Sequence, residues 1–108
     1  MQNKEGQETR NQNYSKNKIE YVLRLFITGA TPNSTRALTN IKEICERYLK
    51  DRYKLEIIDV YQQVDIAEKE QLIALPLLVR KLPLPERRLI GDMSDEQKVL
   101  KGLEIYSP

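Results

Sequence analysis

Between Tyr21 and Val60 the chain spells a strand, a helix and a second strand. A helical crossover of this kind joins two parallel strands of one sheet in a right-handed unit. Tyr21-Val-Leu-Arg-Leu-Phe-Ile-Thr28 is β-branched and aromatic, and Arg24 is its only charge, the composition of a largely buried central strand. Gly29-Ala-Thr-Pro-Asn33 stops it, after which Asn33 or Ser34 is placed to cap a helix by accepting from its free N–H groups. Ala37, Leu38, Ile41, Ile44, Cys45, Tyr48 and Leu49 then recur at helical spacing as one apolar stripe, with Arg36, Lys42, Glu43, Glu46, Arg47 and Lys50 on the other faces. Tyr53 to Val60 alternates and then runs apolar through Ile57-Ile58, which makes it the second strand.

The second half is less determined. Residues 61–73 admit a short helix with Ile66, Ala67 and Ile73 inward, broken at Ala74-Leu75-Pro76 because the residue before a proline is pushed out of helical geometry. Leu77 to Leu82 reads as a strand, yet its Leu, Arg and Lys are also good helix formers. Pro83-Leu84-Pro85-Glu86 is a turn, and Arg87 to Ile90 can complete a β-hairpin, closed by Gly91-Asp92. Ser94 with Gln97 resembles a capping box, and Asp95 and Glu96 suit a helix N-terminus. A helix from 95 to about 106 would bury Val99, Leu100, Leu103 and Tyr106, but Gly102 in its middle costs about 1 kcal/mol against Ala. Leu103-Glu104-Ile105-Tyr106 also alternates like a strand, so local preference and period disagree within one stretch. Such a stretch is either a weak element or one with two structures. Gly102→Ala is expected to favour whichever state has the helix.

A length of 108 residues allows one small domain. The absence of His removes Ser–His–Asp and Cys–His catalysis and imidazole metal ligands, and a single Cys removes an internal disulfide and a CxxC pair. Thr31 and Ser34 have no base near them in the sequence, Asp59 reads as a turn or cap group, and Cys45 on the apolar stripe reads as a small buried hydrophobe. These features point to a binding or regulatory module in a reducing cytosol, with no enzymatic activity expected. No apolar run approaches the length of a membrane span. Residues 1–18 are rich in Asn, Gln and charge and are expected to form a flexible polar tail without a signal-peptide core, leaving 19–108 as the domain. Four basic and three acidic groups in residues 1–20 make too weak a field for nucleic acid.

Two features remain as candidate contacts. Residues 80–88 hold Arg80, Lys81, Arg87 and Arg88 against one Glu, an electrostatic docking patch if these side chains are free. No aromatic interleaves them as a nucleic-acid stacking platform requires. Arg24 is the one charge on an apolar strand, placed for a partner contact or simply at an edge.

With the hairpin included, residues 21–106 have the element order of the thioredoxin fold. Thr31-Pro32-Asn33-Ser34 stands where thioredoxins carry CxxC, and Leu75-Pro76 where they place a cis-proline. The scaffold fits and the thiol chemistry is absent. Tyr21-Val-Leu-Arg-Leu25, Gly29-Ala-Thr-Pro-Asn-Ser34 with Arg36-Ala-Leu38, Ile58-Asp-Val60, Ala67-Glu68, Ala74-Leu-Pro76, and Arg87-Arg-Leu-Ile-Gly-Asp92 with Lys98-Val-Leu100 together resemble the KaiB family of the cyanobacterial KaiA–KaiB–KaiC circadian oscillator.

That resemblance implies a metamorphic α/β protein without a cofactor, cytoplasmic, with a homotetrameric ground state of order βαββααβ. A thioredoxin-like monomer of order βαβαββα would bind the ring of a hexameric KaiC-type ATPase, sequester KaiA and displace the related domain of the sensor kinase SasA. It implies Arg24, Arg36, Arg80, Lys81, Arg87 and Arg88 as partner-binding candidates. Tyr21, Pro76, Pro83, Pro85, Gly91, Asp92, Gly102 and Glu104 are candidates for setting the balance between folds. Pro83-Leu84-Pro85 replaces the family's frequent three prolines, Glu104 its Asp, and Tyr106-Ser-Pro108 its acidic extension. These departures suggest a divergent paralogue serving a second KaiC-type ATPase, or a stress-related or chaperone-like binding protein without a clock partner.

Overall fold

β1 (Tyr21–Ile27) takes the central place its composition demands, with Leu23, Leu25 and Phe26 fully buried. β2 (Tyr53–Asp59) pairs with it in parallel from Tyr21↔Tyr53 to Ile27↔Asp59. On its other edge β3 (Leu77–Leu82) runs antiparallel, and β4 (Arg87–Ile90) adds to β3 as a hairpin, giving a four-stranded sheet of order β2-β1-β3-β4. With α1 (Pro32–Tyr48), α2 (Val64–Lys69) and α3 (Glu96–Leu103) the element order is βαβαββα, that of the thioredoxin fold. The computed structural model describes residues 19–70 and 75–105, without the side chain of Ala67; the expected tail 1–18 and the inward placements of Ala67, Ile73 and Tyr106 lie outside the described residues.

α1 begins two residues earlier than a cap at Asn33 would place it, and three earlier than one at Ser34. Thr31 is the cap, its hydroxyl accepting from the Ser34 amide at 3.3 Å, and Pro32 fills the first turn, where its missing N–H is no loss. Ser34 turns inward instead: its Oγ accepts from the Thr28 amide at 3.1 Å and from Thr31 Oγ1 at 2.9 Å, tying the end of β1 to the start of α1. The cap of α3 also moves by one residue, from Ser94 to Asp95, whose carboxylate accepts from the Lys98 amide at 3.1 Å. Ser94 is held outside the helix because its own amide donates to Asp92 Oδ1 at 3.1 Å.

Alternation along the strands splits the core in two. Leu23, Leu25 and Leu78 pack with Ala37, Ile41, Ile44, Cys45 and Leu49 of the α1 stripe and with Val99 and Leu103 of α3. Phe26, Ile58, Leu77 and Val79 form a smaller cluster on the opposite face, against which Ile66 of α2 packs.

The disputed segment at 96–105 is helical through Leu103, and Glu104 ends it in the left-handed region at φ 58°. Gly102 sits on the helix flank facing β4. A Cβ built there overlaps Leu89 Cδ2 and lies 3.0 Å from Cδ1 and 3.1 Å from Cγ. This qualifies the expectation for Gly102→Ala: the helical gain of about 1 kcal/mol is opposed by displacement of Leu89. We expect Gly102→Ala to be more favourable by about 1 kcal/mol in a Leu89→Ala background than in the wild type, measured by denaturant unfolding of the four variants of the cycle. Equal effects in both backgrounds would show that Leu89 places no constraint on residue 102.

Candidate partner-binding face

The row Glu56, Arg24, Val79, Arg88 crosses all four strands on the α2 side of the sheet, set by the pairings Arg24↔Glu56, Arg24↔Val79 and Val79↔Arg88. Lys81 lies on the same face, two residues beyond Val79 on β3. α2 is six residues long and covers one end of this face through Ile66; the other end is covered by charge. Its centre is Glu70, at the C-terminal cap of α2, whose side chain is only 11% exposed. Glu70 Oε2 lies 2.8 Å from Lys81 Nζ and 3.3 Å from Arg24 Nη1, and Oε1 lies 3.3 Å from Arg88 Nη2. Arg24 Nε also donates to Glu56 Oε1 at 2.7 Å. Partial burial would raise the Glu56 carboxyl, but Arg24 and Lys54 outweigh it and hold the group below its ordinary range.

Arg80 belongs to the other face and corrects the patch read from the sequence. It is 2% exposed, tucked beneath α3, so it cannot present its guanidinium to a partner in this fold. Its Nη1 donates to the Leu103 carbonyl at 2.6 Å and its Nη2 to the Pro85 carbonyl at 2.7 Å, while Glu104 Oε1 lies 3.3 Å from Nη1. Its Nε has no hydrogen-bond partner among the described residues. One buried cation thus fastens the Pro83–Pro85 turn, the end of α3 and β3 together. Pro83 and Pro85 are exposed at the tip of the hairpin. Arg87 meets Glu104 Oε2 at 3.0 Å, so Glu104 bridges Arg80 and Arg87. The remaining cations of residues 80–88 are therefore all matched by carboxylates, Glu70 and Glu86 for Lys81 and Arg88, Glu104 for Arg87.

Arg36 lies apart from this cluster, exposed in the second turn of α1, with its Nε 3.2 Å from Asp92 Oδ2 and a further contact to Asn33. Hydrogen bonds from Ser94 and the charge of Arg36 hold the Asp92 carboxyl below its ordinary value, and the Asp92 carbonyl accepts from Asn40 at 2.9 Å. Gly91, at φ 125°, makes the bend that sends the chain from β4 to this loop, a conformation L side chains rarely adopt. Its amide donates to the carbonyl of buried Pro76, which precedes β3. Tyr21 is half-buried at the start of β1 against the larger core cluster. Glu70, the hub of the face, was not among the residues singled out by sequence. Nothing in a single chain marks it, because its three partners sit 46, 11 and 18 residues away.

The position that carries the redox pair of thioredoxins holds only hydroxyl groups here. Cys45, the one thiol, is fully enclosed on α1, where burial foremost and the nearby Glu46 push its pKa up to about 12. Fold and face together define a thioredoxin-like protein without a dithiol, bearing a charged, carboxylate-matched surface on the α2 side of its sheet. Comparison with solved structures agrees on the fold: the N-terminal domain of Synechococcus elongatus SasA superposes with a TM-score of 0.63 at 23% identity, covering 80% of this chain and 85% of that one. Fasciola hepatica thioredoxin superposes with a TM-score of 0.65 at 17% identity, covering 88% of both chains.

Residues 24–105 match the model of the KaiB domain. The circadian clock oscillator protein KaiB of Prochlorococcus marinus subsp. pastoris is 49% identical over 85 residues, 79% of each chain. That of Synechococcus elongatus is 47% identical over 85 residues, 79% of this chain and 83% of the other. The chain belongs to the KaiB family. Among the described residues no helix is long and apolar enough to cross a membrane.

Proposed function

We propose that this protein is a cytoplasmic, non-enzymatic regulator of the circadian-oscillator type that binds a KaiC-type ATPase ring in its thioredoxin-like form. The observation that carries this reading is a combination: a chain matching the KaiB domain over residues 24–105 adopts the order βαβαββα, the order that the family resemblance ties to ring binding. The mechanism is conformational selection. A ring that binds one packing better than a tetrameric βαββααβ packing shifts the population by its difference in affinity, and the two need lie only a few kcal/mol apart. The bound form would compete with a SasA-type domain of the same fold and offer a surface on which KaiA can be sequestered.

The test is incubation for hours with the KaiC-type ATPases of the source organism, followed by native mass spectrometry. A slowly growing complex with up to one copy per ATPase subunit is the expected result. The absence of a complex with every such ATPase, while the protein alone stays a stable oligomer, would replace this reading with that of a stress-related or chaperone-like binder.

A further inference from the structure

We propose that Arg24, Lys81 and Arg88 form a receptor for a carboxylate on an acidic segment of a protein partner, and that Glu70 occupies this receptor in the unbound thioredoxin-like form as an internal stand-in. The proposal deepens the ring-binding reading and rests on it only for the identity of the partner.

Three observations carry it. First, the three cations reach one carboxylate from three different strands, β1, β3 and β4, so sheet geometry and not one flexible segment sets their spacing. Second, each cation has an anchor that does not depend on the Glu70 carboxylate. Arg24 is held by Glu56 at 2.7 Å, Lys81 by Glu86 at 3.5 Å, and Arg88 by Glu86 at 3.7 Å, none of them through α2. When the Glu70 side chain swings away, the receptor therefore keeps its shape, and a guest carboxylate meets a site already organised. Third, accessibility runs in the right direction: Arg24, Lys81 and Arg88 keep between 26% and 37% of their side chains in solvent while Glu70 keeps 11%.

The stand-in is attached to a weak element. α2 has six residues, and its N-cap Gln63 makes no side-chain capping bond. Exchange of one carboxylate for another conserves charge and hydrogen bonds, so Glu70 blocks casual anions without preventing a partner that adds contacts of its own. The flanking Glu56 and Glu86 decide the class of guest. Their two charges beside three cations leave room for a single negative charge, which suits Asp or Glu and disfavours a dianionic phosphate.

The probe is a fluorescein-labelled acetyl-hexaglutamyl-amide peptide titrated at low salt and read by anisotropy. Glu70→Gln, which keeps shape and removes the competing charge, is expected to bind it about five-fold or more tightly than the wild type. Glu70→Asp, which keeps the charge but falls short of the cations, is also expected to bind more tightly, and Arg88→Gln added to Glu70→Gln to abolish the gain. Glu68→Gln, an equal change of net charge at an exposed neighbour, is expected to leave the affinity unchanged. A gain in Glu68→Gln equal to that in Glu70→Gln, or no gain in either Glu70 variant when both give the wild-type amide spectrum, overturns the receptor. Ring assembly is followed separately. Loss of the peptide effect with assembly intact removes the receptor alone, whereas a peptide effect without assembly supports the receptor and removes the ring-binding reading.

Discussion

Arg80→Ala is expected to lower the unfolding free energy by about 3–5 kcal/mol, in the range found when one partner of a buried charge network is removed. The magnitude follows from what the guanidinium serves. Two carbonyls, those of Leu103 and Pro85, lose a charged donor at 2.6 and 2.7 Å, and hydrogen bonds to charged groups contribute about 1.5–3 kcal/mol each. Without the guanidinium, Glu104 keeps only Arg87 as an ion-pair partner. Arg80→Lys is expected to lose about half as much, because one ammonium cannot reach two divergent carbonyls as a fork does. Urea unfolding provides the measure, and amide exchange within Glu96–Leu103 localises it: protection there should fall first, since that helix end is fastened by the guanidinium. A loss below about 1 kcal/mol for Arg80→Ala would mean that the two carbonyls find other donors and that the cation is not the fastening point.

Phe26→Ala is expected to cost about 3–5 kcal/mol, and Phe26→Leu about 1–1.5. Phe26 is the one Phe of the chain, fully buried, and it fills the smaller cluster with Ile58, Leu77 and Val79. That cluster is thin, covered by Val60, Leu75 and Ile66 of the short α2, so a lost ring leaves a cavity beneath a light roof. Collapse would carry the Glu70 end of α2 with it. The variant therefore tests whether the α2 side of the sheet is a true second core. Equilibrium unfolding with a loss under about 1 kcal/mol would show that this face is only superficially covered.

The first half of the fold was legible because its signals are local and agree. A β-branched run, a loop with Pro32, a seven-member helical stripe and a second alternating run leave one arrangement, and each buried residue of that stripe, from Ala37 to Leu49, lies in the larger core. The caps were displaced, by two or three residues in α1 and by one in α3, because Thr31, Asn33 and Ser34, like Ser94 and Asp95, are interchangeable as acceptors in sequence. The choice between them is made by what else each can reach: Ser34 has the Thr28 amide, and Ser94 has the Asp92 carboxylate. The segment from Glu96 to Ile105 was ambiguous for a different reason. Its helix carries a glycine, against local preference, where Leu89 of β4 occupies the space a side chain would take, a contact between two elements rather than a preference of either.

The charged residues show the same division more sharply. Four cations within residues 80–88 looked alike as a string, since a single sequence records charge but not direction. The strand period could place Arg80 opposite Lys81, but only the packing of α3 over one face made the first a buried clamp and the second part of a surface. The carboxylates that match the cations, Glu70, Glu86 and Glu104, come from a helix end, a turn and a helix cap. Composition, local period and motif were enough for the parallel βαβ core, for the lack of His and of a second Cys, and for the family. Tertiary structure alone decided which cations are buried, which are neutralised and where a carboxylate can be exchanged. Coulomb energy falls with distance through space and takes no account of separation along the chain.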